Sequence, residues 1–251
     1  MAAAYDTYDY PSYWEGREYE HKSEVYAISE FLKKIPKIKT ILEIGAGYGR
    51  LTPTYAFRAK KVILSDSSAS LLKMAHNLKL VKNIKYIHSG YENLPKKIKP
   101  KTVDLIVLVR VMHHIQDPDG VFEIVGRLLK KRGFFILEFA NKKHIKATVS
   151  EFLKGNFTFT LDIFPKNLQK KQKKDTGNLP FLNYHPDIVC EKLKNAGFEI
   201  IQKRSVSNVR SPFLKKIFPL EMLLFFEKIL QVPLSLINFG PSIFILTYKK
   251  G

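Results

Sequence analysis

The chain reads as an α/β protein built on a doubly wound, mostly parallel sheet of seven strands with helices on both faces. Three observations predict this. From Lys39 onward short apolar runs alternate with longer amphipathic stretches, the pattern of strand-helix-strand units around a parallel sheet. The apolar run Thr40-Ile41-Leu42-Glu43-Ile44 enters a turn with glycines at 45, 47 and 49, where the backbone can approach a ligand. At 251 residues and 45% hydrophobic content, the chain has enough material for one substantial core and little beyond it.

In chain order, a helix is expected from Glu20 to Lys34, stopped before Pro36. Strand Thr40 to Ile44 and helix Leu51 to Arg58 follow, then strand Lys61 to Ser65, helix Ser68 to Asn77 and strand Ile84 to His88. Next come strand Leu105 to Val109, helix Gly120 to Leu129 and strand Phe134 to Phe139. Helix Pro186 to Ala196 ends on Asn195-Ala196-Gly197, a helix stop, and strands Glu199 to Ser205 and Ile243 to Tyr248 close the sheet. The expected organisation is one domain over 1–251: an aromatic lid and helix (1–38), a cofactor core (39–140), and two insertions (141–184 and 208–238) that fit no regular unit. Long insertions in α/β enzymes usually line or cover the active site, so substrate selection is assigned to them.

Composition narrows the classes. One cysteine, Cys190, excludes an internal disulfide and a cysteine metal cluster, and its helical flanks make it a structural thiol. No carboxylate-histidine group has metal-ligand spacing. The first thirty residues are acidic and aromatic (Tyr5, Asp6, Tyr8, Asp9, Tyr10, Tyr13, Trp14), unlike a secretory signal, which leads to a cytoplasmic expectation. The apolar stretch Phe213 to Tyr248 is broken by Pro219, Pro233, Gly240 and Pro241, so no membrane span is expected. The formal charge is +19, but only eight of the 42 basic residues are arginine, and the lysines are scattered. Their densest run, Lys142 to Lys174, holds nine lysines against Glu151 and Asp162 and is read first as a solvated loop.

The glycine turn carries the chemistry. A dinucleotide fingerprint needs its third glycine at position 50, where this chain has Arg50. Glu43, just before the turn, suits the ammonium of an amino-acid-bearing cofactor and would repel a pyrophosphate. Asp66, at the end of the next strand, is placed to accept from ribose hydroxyls.

With these features the chain resembles the class I S-adenosylmethionine-dependent methyltransferases, in their small-molecule and quinone-methylase (type 11) branch. Further matching segments are Tyr91-Glu92-Asn93-Leu94-Pro95, Val103 to His114, and Arg127 to Gly133, so the resemblance covers roughly residues 20 to 140. It implies a Rossmann-like sheet with an antiparallel final strand, S-adenosyl-L-methionine as cofactor and S-adenosyl-L-homocysteine as product. By position it puts Gly45, Ala46, Gly47 and Gly49 against the methionine part, Glu43 near its amino group, and Asp66 with Ser67 on the ribose. Tyr91 and Glu92 fall near the adenine, and Val109 and Arg110, leading to Met112, flank the sulfonium. The family often has an acid before the Tyr91 position; this chain has Gly90. Nor does it have an Asn-Pro-Pro-aromatic or Asp-Pro-Pro-aromatic motif after strand four, which argues against exocyclic adenine as acceptor.

Sulfonium methyl transfer is an in-line displacement, so positioning contributes most and a base is needed only for an acceptor with a proton to lose. His113 and His114 are the candidate bases, and the competing reading has one of them packing or capping the next helix. The N-terminal aromatics are expected to form a lid, with Tyr13 and Arg17 at the cofactor. His185 is a secondary acceptor candidate. The expected reaction methylates a small or lipid-like acceptor, with Phe152, Phe157, Phe159, Phe164, Phe213, Phe218, Phe225 and Phe226 supplying an apolar pocket. Phe213 to Leu230, headed by Lys215 and Lys216, has the apolar content of an amphipathic helix for peripheral contact with an anionic membrane. Two other readings stay open: an RNA methyltransferase using the Lys142 to Lys174 region, and a non-catalytic, cofactor-binding regulator. Oligomeric state is not legible.

Overall fold

A computed structural model describes residues 9–78, 82–168, 180–209 and 211–251. The lysine run 170–174 and Tyr5, Asp6 and Tyr8 lie outside them. The elements are α1 (Glu18–Leu32), β1 (Thr40–Ile44), α2 (Pro53–Ala56), β2 (Lys61–Asp66), α3 (Ala69–Asn77), β3 (Ile84–His88), α4 (Leu94–Lys97), β4 (Val103–Leu108), α5 (Pro118–Leu128) and β5 (Leu129–Ala140). They continue with α6 (Ile145–Leu153), β6 (Lys166–Asn167), β7 (Leu182–Asn183), α7 (Pro186–Asn195), β8 (Phe198–Val206), α8 (Pro212–Ile217), α9 (Leu220–Leu236) and β9 (Ser242–Lys249).

The main sheet has seven strands in the order β3-β2-β1-β4-β5-β9-β8. The pairs from β3 to β5 are parallel, and β9 runs antiparallel to both neighbours. The central strands are buried on both faces, which is why they read as continuous apolar runs. On β1 and β4, Leu42, Ile44, Ile106 and Leu108 face one core layer with α4, α5 and α7. Ile41, Leu105 and Val107 face the other layer, with α1, α2 and α3. Strand order reverses between β1 and β4, so their C-terminal ends open the crevice where ligands of such sheets bind.

Local chemistry sets the helix starts. Ser68 Oγ accepts from Leu71 N at 3.2 Å and caps α3; Asp117 accepts from Gly120 N at 3.1 Å, with Pro118 following at the first helical position. That cap starts α5 two residues before the expected Gly120. Helix α2 is a single turn, Pro53–Ala56, in place of the expected Leu51 to Arg58. Strand β5 begins at Leu129, which pairs with Val103 across a register shift, well before the expected Phe134.

The two insertions depart most from expectation. The first contains α6 and the short antiparallel pair β6-β7; the second is almost wholly helical, with α8 and α9. They meet where Ile145 N donates to Phe239 O at 2.9 Å and the Asn141 side chain donates to Asn238 O and Gly240 O at 2.6 and 2.7 Å. None of the described helices is long and apolar enough to cross a membrane.

Candidate cofactor and acceptor site

The turn after β1 is held in the left-handed region, with φ of +72° at Gly45, +56° at Gly47 and +80° at Gly49. Only glycine adopts this freely. A side chain at Gly45 would also overlap Val111 Cγ2, so the segment after β4 rests directly on the turn. Gly45 N and Ala46 N donate to Ser65 O at 2.8 and 2.9 Å, joining the turn to β2.

Asp66 ends β2 beside that turn. Its Oδ2 accepts from Gly47 N at 2.7 Å and its Oδ1 from Ser68 N at 2.8 Å, so the carboxylate bridges the ends of two adjacent strands. Ser67 is exposed next to it. Glu43 turns the other way, into the layer beneath α2, where Oε2 accepts from Thr52 Oγ1 at 2.9 Å and from the Tyr55 hydroxyl. Burial lifts this carboxyl to about 7, against the pull of those donors.

Above the turn, sequence reasoning missed a charged cluster. Glu24 of α1 is wholly buried and holds two arginines: Arg50 at 2.5 Å on Oε2 and Arg110 at 2.8 Å on Oε1. Burial alone would raise the Glu24 carboxyl, but Arg110 and Arg50 hold it below the ordinary value, as an anion. Arg110 sits at φ +60°, and that kink after β4 directs its backbone N–H to Glu138 Oε2 at 2.7 Å. Glu138 Oε1 accepts in turn from Ser242 Oγ on β9. Arg50 also reaches His21 Nδ1 at 2.6 Å; burial holds this imidazole below its usual range, so it is a neutral acceptor. A signal for Glu24 existed, because it lies on the stripe of α1 shared with Ala27, Ile28 and Phe31, which are buried.

The aromatic segment closes over this cluster. Trp14 lies on Arg50, with the guanidinium 3.4 Å from the ring centre, and is 4.7 Å from Arg110. The Tyr10 ring is 3.7 Å from where a Cβ of Gly47 would stand, and burial pushes its hydroxyl up to about 12. Tyr13 stacks on Tyr10 with centres 6.0 Å apart, and Arg17 covers Tyr13 at 4.1 Å. Tyr13 and Arg17 thus belong to the same cover, with Arg17 on its outer layer.

The remaining candidates divide. Ala46 and Val109 are buried. Tyr91 packs against the core layer of α5, while the Glu92 carboxylate folds back toward Gly90. His113 is buried against His114, with centres 4.0 Å apart, and against Phe181 at 4.5 Å. Burial keeps both imidazoles below their usual range and neutral. His114 Nδ1 meets Pro180 O at 2.8 Å; a carbonyl only accepts, so Nδ1 carries the proton and Nε2 is the basic nitrogen. His185, expected to face a cavity, is buried with Nε2 against Thr160 O at 3.1 Å.

Both insertions require correction. Of the eight phenylalanines expected to line a pocket, Phe159 alone is buried, beneath the ammonium groups of Lys142 and Lys166; the other seven are exposed. Lys142, placed in a phosphate-binding region by sequence, is an interior residue donating to Asp162 O and Phe164 O at 2.7 Å each. Lys143, Lys154 and Lys166 pair with Asp187 or Glu151. Among the described residues, no group of three or more His, Cys, Asp or Glu side chains is arranged to hold a metal.

Comparison with known proteins agrees with this geometry. A methyltransferase-domain family model matches residues 42–137, from β1 into β5. Over 170 residues, 63% of this chain and 66% of the relative, the chain is 29% identical to the ubiquinone/menaquinone biosynthesis C-methyltransferase UbiE of Pseudoalteromonas translucida. It is 28% identical over 106 residues, 41% of this chain, to the ubiquinone biosynthesis O-methyltransferase of Nitrosomonas europaea, spanning 45% of that relative. The chain thus spans less than two thirds of the length of each. Among solved structures, an S-adenosylmethionine-dependent methyltransferase from Mesorhizobium loti superimposes with a TM-score of 0.61 at 13% identity, covering 90% of this chain and 98% of the other. The magnesium protoporphyrin IX methyltransferase of Synechocystis, solved with bound S-adenosylhomocysteine, gives 0.56 at 16% identity over 92% and 84% of the two chains. Sheet order, strand-embedded glycine turn and matched relatives converge: residues 42–137 of this chain match a methyltransferase domain, on a sheet like that of S-adenosylmethionine-dependent methyltransferases of known structure.

Proposed function

We propose that the chain transfers the methyl group of S-adenosylmethionine to a small, lipid-like acceptor above the ends of β1 and β4. The observation that carries this reading is the bridge from Gly47 N to Asp66 Oδ2, which sets an acidic group beside the glycine backbone at the ends of β1 and β2, next to the point where strand order reverses. The residues fit such a cofactor. The turn through Gly45, Gly47 and Gly49 presents its backbone to the methionine part, Asp66 with Ser67 meets the ribose, and Tyr91 offers a flat face for the base. Val109, Arg110 and the segment to Met112 border the reacting end. The cofactor, when bound, supplies an activated methyl group.

The protein's own part is positioning and exclusion of water. Glu43 supports the turn from below through Thr52 and Tyr55. The Tyr10 to Arg17 segment forms the cover, and Arg50 and Arg110, aligned by Glu24, set a positive field for a carboxylate. Where the acceptor has a proton to lose, His114 Nε2 takes it, with Nδ1 fixed by Pro180 O. The quinone-pathway relatives support an apolar acceptor that is methylated at carbon or oxygen. The lysine geometry of the first insertion favours this over RNA, since the described lysines there are mostly engaged by acids and carbonyls.

The test is calorimetric titration of S-adenosylhomocysteine into the protein and its Asp66→Ala variant, followed by transfer of labelled methyl into a fractionated cell extract. Binding weakened at least about tenfold by Asp66→Ala, with label in the organic-soluble fraction, supports the reading. Equal binding by both proteins rejects the site, and label confined to RNA rejects the acceptor class.

A further inference from the structure

Helix α9 is amphipathic in the wrong sense for a surface helix. The stripe it turns toward the protein is Leu223, Glu227, Gln231 and Ser235, three of them polar, at strict four-residue spacing. Those polar groups are satisfied internally: Glu227 accepts from the Tyr19 hydroxyl and from Ser207 N at 2.8 Å, and Gln231 Nε2 donates to Ser23 O at 3.0 Å. The outward face carries Phe225 (58% exposed), Phe226 (49%), Ile229, Leu230, Val232 and Leu236 (79%). A helix in water places its apolar stripe against the core. This arrangement leaves the apolar stripe for something outside the chain.

The neighbouring elements extend the face and give it a charge. Phe213 and Ile217 of α8 are exposed just before α9, and Val149 and Phe152 of α6 are exposed beyond the contact between Ile145 and Phe239. Lysines border it: exposed Lys216 in α8, Lys228 on α9 and Lys146 in α6, with Lys215 paired to Glu20. Glu221 is the one exposed acid within α8 and α9. Apolar rings rimmed by lysine match an anionic lipid surface, where rings enter the acyl boundary and ammonium groups meet phosphate. The same charge opposes pairing of two copies, each at +19, through this face.

We infer that α8, α9 and the exposed side of α6 form a docking surface for an anionic lipid bilayer. The inference stands apart from the methyl-transfer reading, because docking requires no cofactor and no turnover. It also assigns Phe152, Phe213, Phe225 and Phe226 a task that a closed pocket does not.

The experiment is co-sedimentation of the full chain with vesicles of phosphatidylcholine alone and of an equimolar phosphatidylcholine and phosphatidylglycerol mixture, at low and physiological salt. The double variant Phe225→Ser, Phe226→Ser leaves charge unchanged, and Leu236→Ser serves as an independent second variant; circular dichroism checks both folds. Expected are binding to the mixed vesicles, much weaker binding to the neutral ones, and a loss of about tenfold or more in the double variant. Absence of binding to mixed vesicles at low salt overturns the proposal. So does equal binding by folded variants, which leaves only nonspecific attraction of lysines, or a concentration-dependent dimer in sedimentation that the same substitutions abolish.

Discussion

Arg110 lies 2.8 Å from Glu24, joining the residue that kinks the chain after β4 to the buried face of α1. With Arg50 on the other carboxylate oxygen, a single acid ties the N-terminal helix to both segments that border the proposed cofactor site. Removing the acid takes the shared counter-charge from two largely desolvated guanidinium groups, leaving Glu138 acting on Arg110. Glu24→Gln is therefore expected to lower unfolding free energy by about 3–5 kcal/mol, as measured by urea denaturation at neutral pH. A loss below about 1 kcal/mol would show the cluster to be solvated.

Glu43 predicts a pH dependence of stability. Its carboxyl is raised from 4.5 to about 7 in the folded chain, so the folded state holds the proton more tightly than the unfolded state does. The associated stability is present below pH 4.5 and is lost as pH rises toward 7. At ~1.4 kcal/mol per pH unit, the wild-type advantage over Glu43→Gln should shrink by about 3 kcal/mol between pH 4 and pH 8. Parallel melts at the two pH values provide the comparison, and a constant difference contradicts the assigned burial.

A methyl group at Gly45 meets two obstacles, the positive φ and Val111 Cγ2. Gly45→Ala should cost about 2–4 kcal/mol from strain and overpacking together. Adding Val111→Ala relieves only the second, so the double variant is expected to recover part of the loss in thermal melts. Full recovery would mean that the backbone there is not held left-handed.

His114 gives a kinetic prediction. Its imidazole is held below the usual 6.5 by burial, so it is neutral at pH 7 and acquires a proton only under more acid conditions. If it removes a proton from the acceptor, kcat/KM should be level around neutrality and fall only at pH values more acid than the ordinary imidazole range. His114→Gln should lower kcat and abolish that acid limb while leaving S-adenosylhomocysteine affinity unchanged. An acid limb that persists in the variant assigns it to another group.

The only tryptophan in the chain supplies its own readout. Trp14 rests on Arg50 and near Arg110, above the glycine turn. Cofactor binding beneath the cover is expected to shift or quench its emission saturably. Unchanged fluorescence at a calorimetrically saturated site removes the cover from the binding event.

Most of the sheet was legible because strands buried on both faces are marked by apolar runs, and β1 and β3 fell on their expected bounds. Asp66 beside the glycine turn was legible for the same reason, as strand ends fix its place. Helix α9 was legible only as apolar content over Phe213 to Leu230, within an insertion otherwise given no regular unit; its bounds were not, because the residues it buries include Glu227, Gln231 and Ser235, and periodicity analysis looks for the reverse. The pocket assigned to the insertion phenylalanines failed through a related assumption, that aromatic content implies enclosure. Glu24 escaped notice because a buried acid is identified by its partners, and Arg50 and Arg110 lie far away in sequence.

That distance has an evolutionary side. Glu24 satisfies two arginines at once, so exchanging the acid alone strands two positive charges, whereas exchanging either arginine alone leaves Glu24 paired to the other. Across descendants of this chain, an acid at position 24 should therefore persist wherever arginine stands at 50 or 110 and disappear only when both do, leaving a trace of co-variation that joins the first helix to the ends of two central strands.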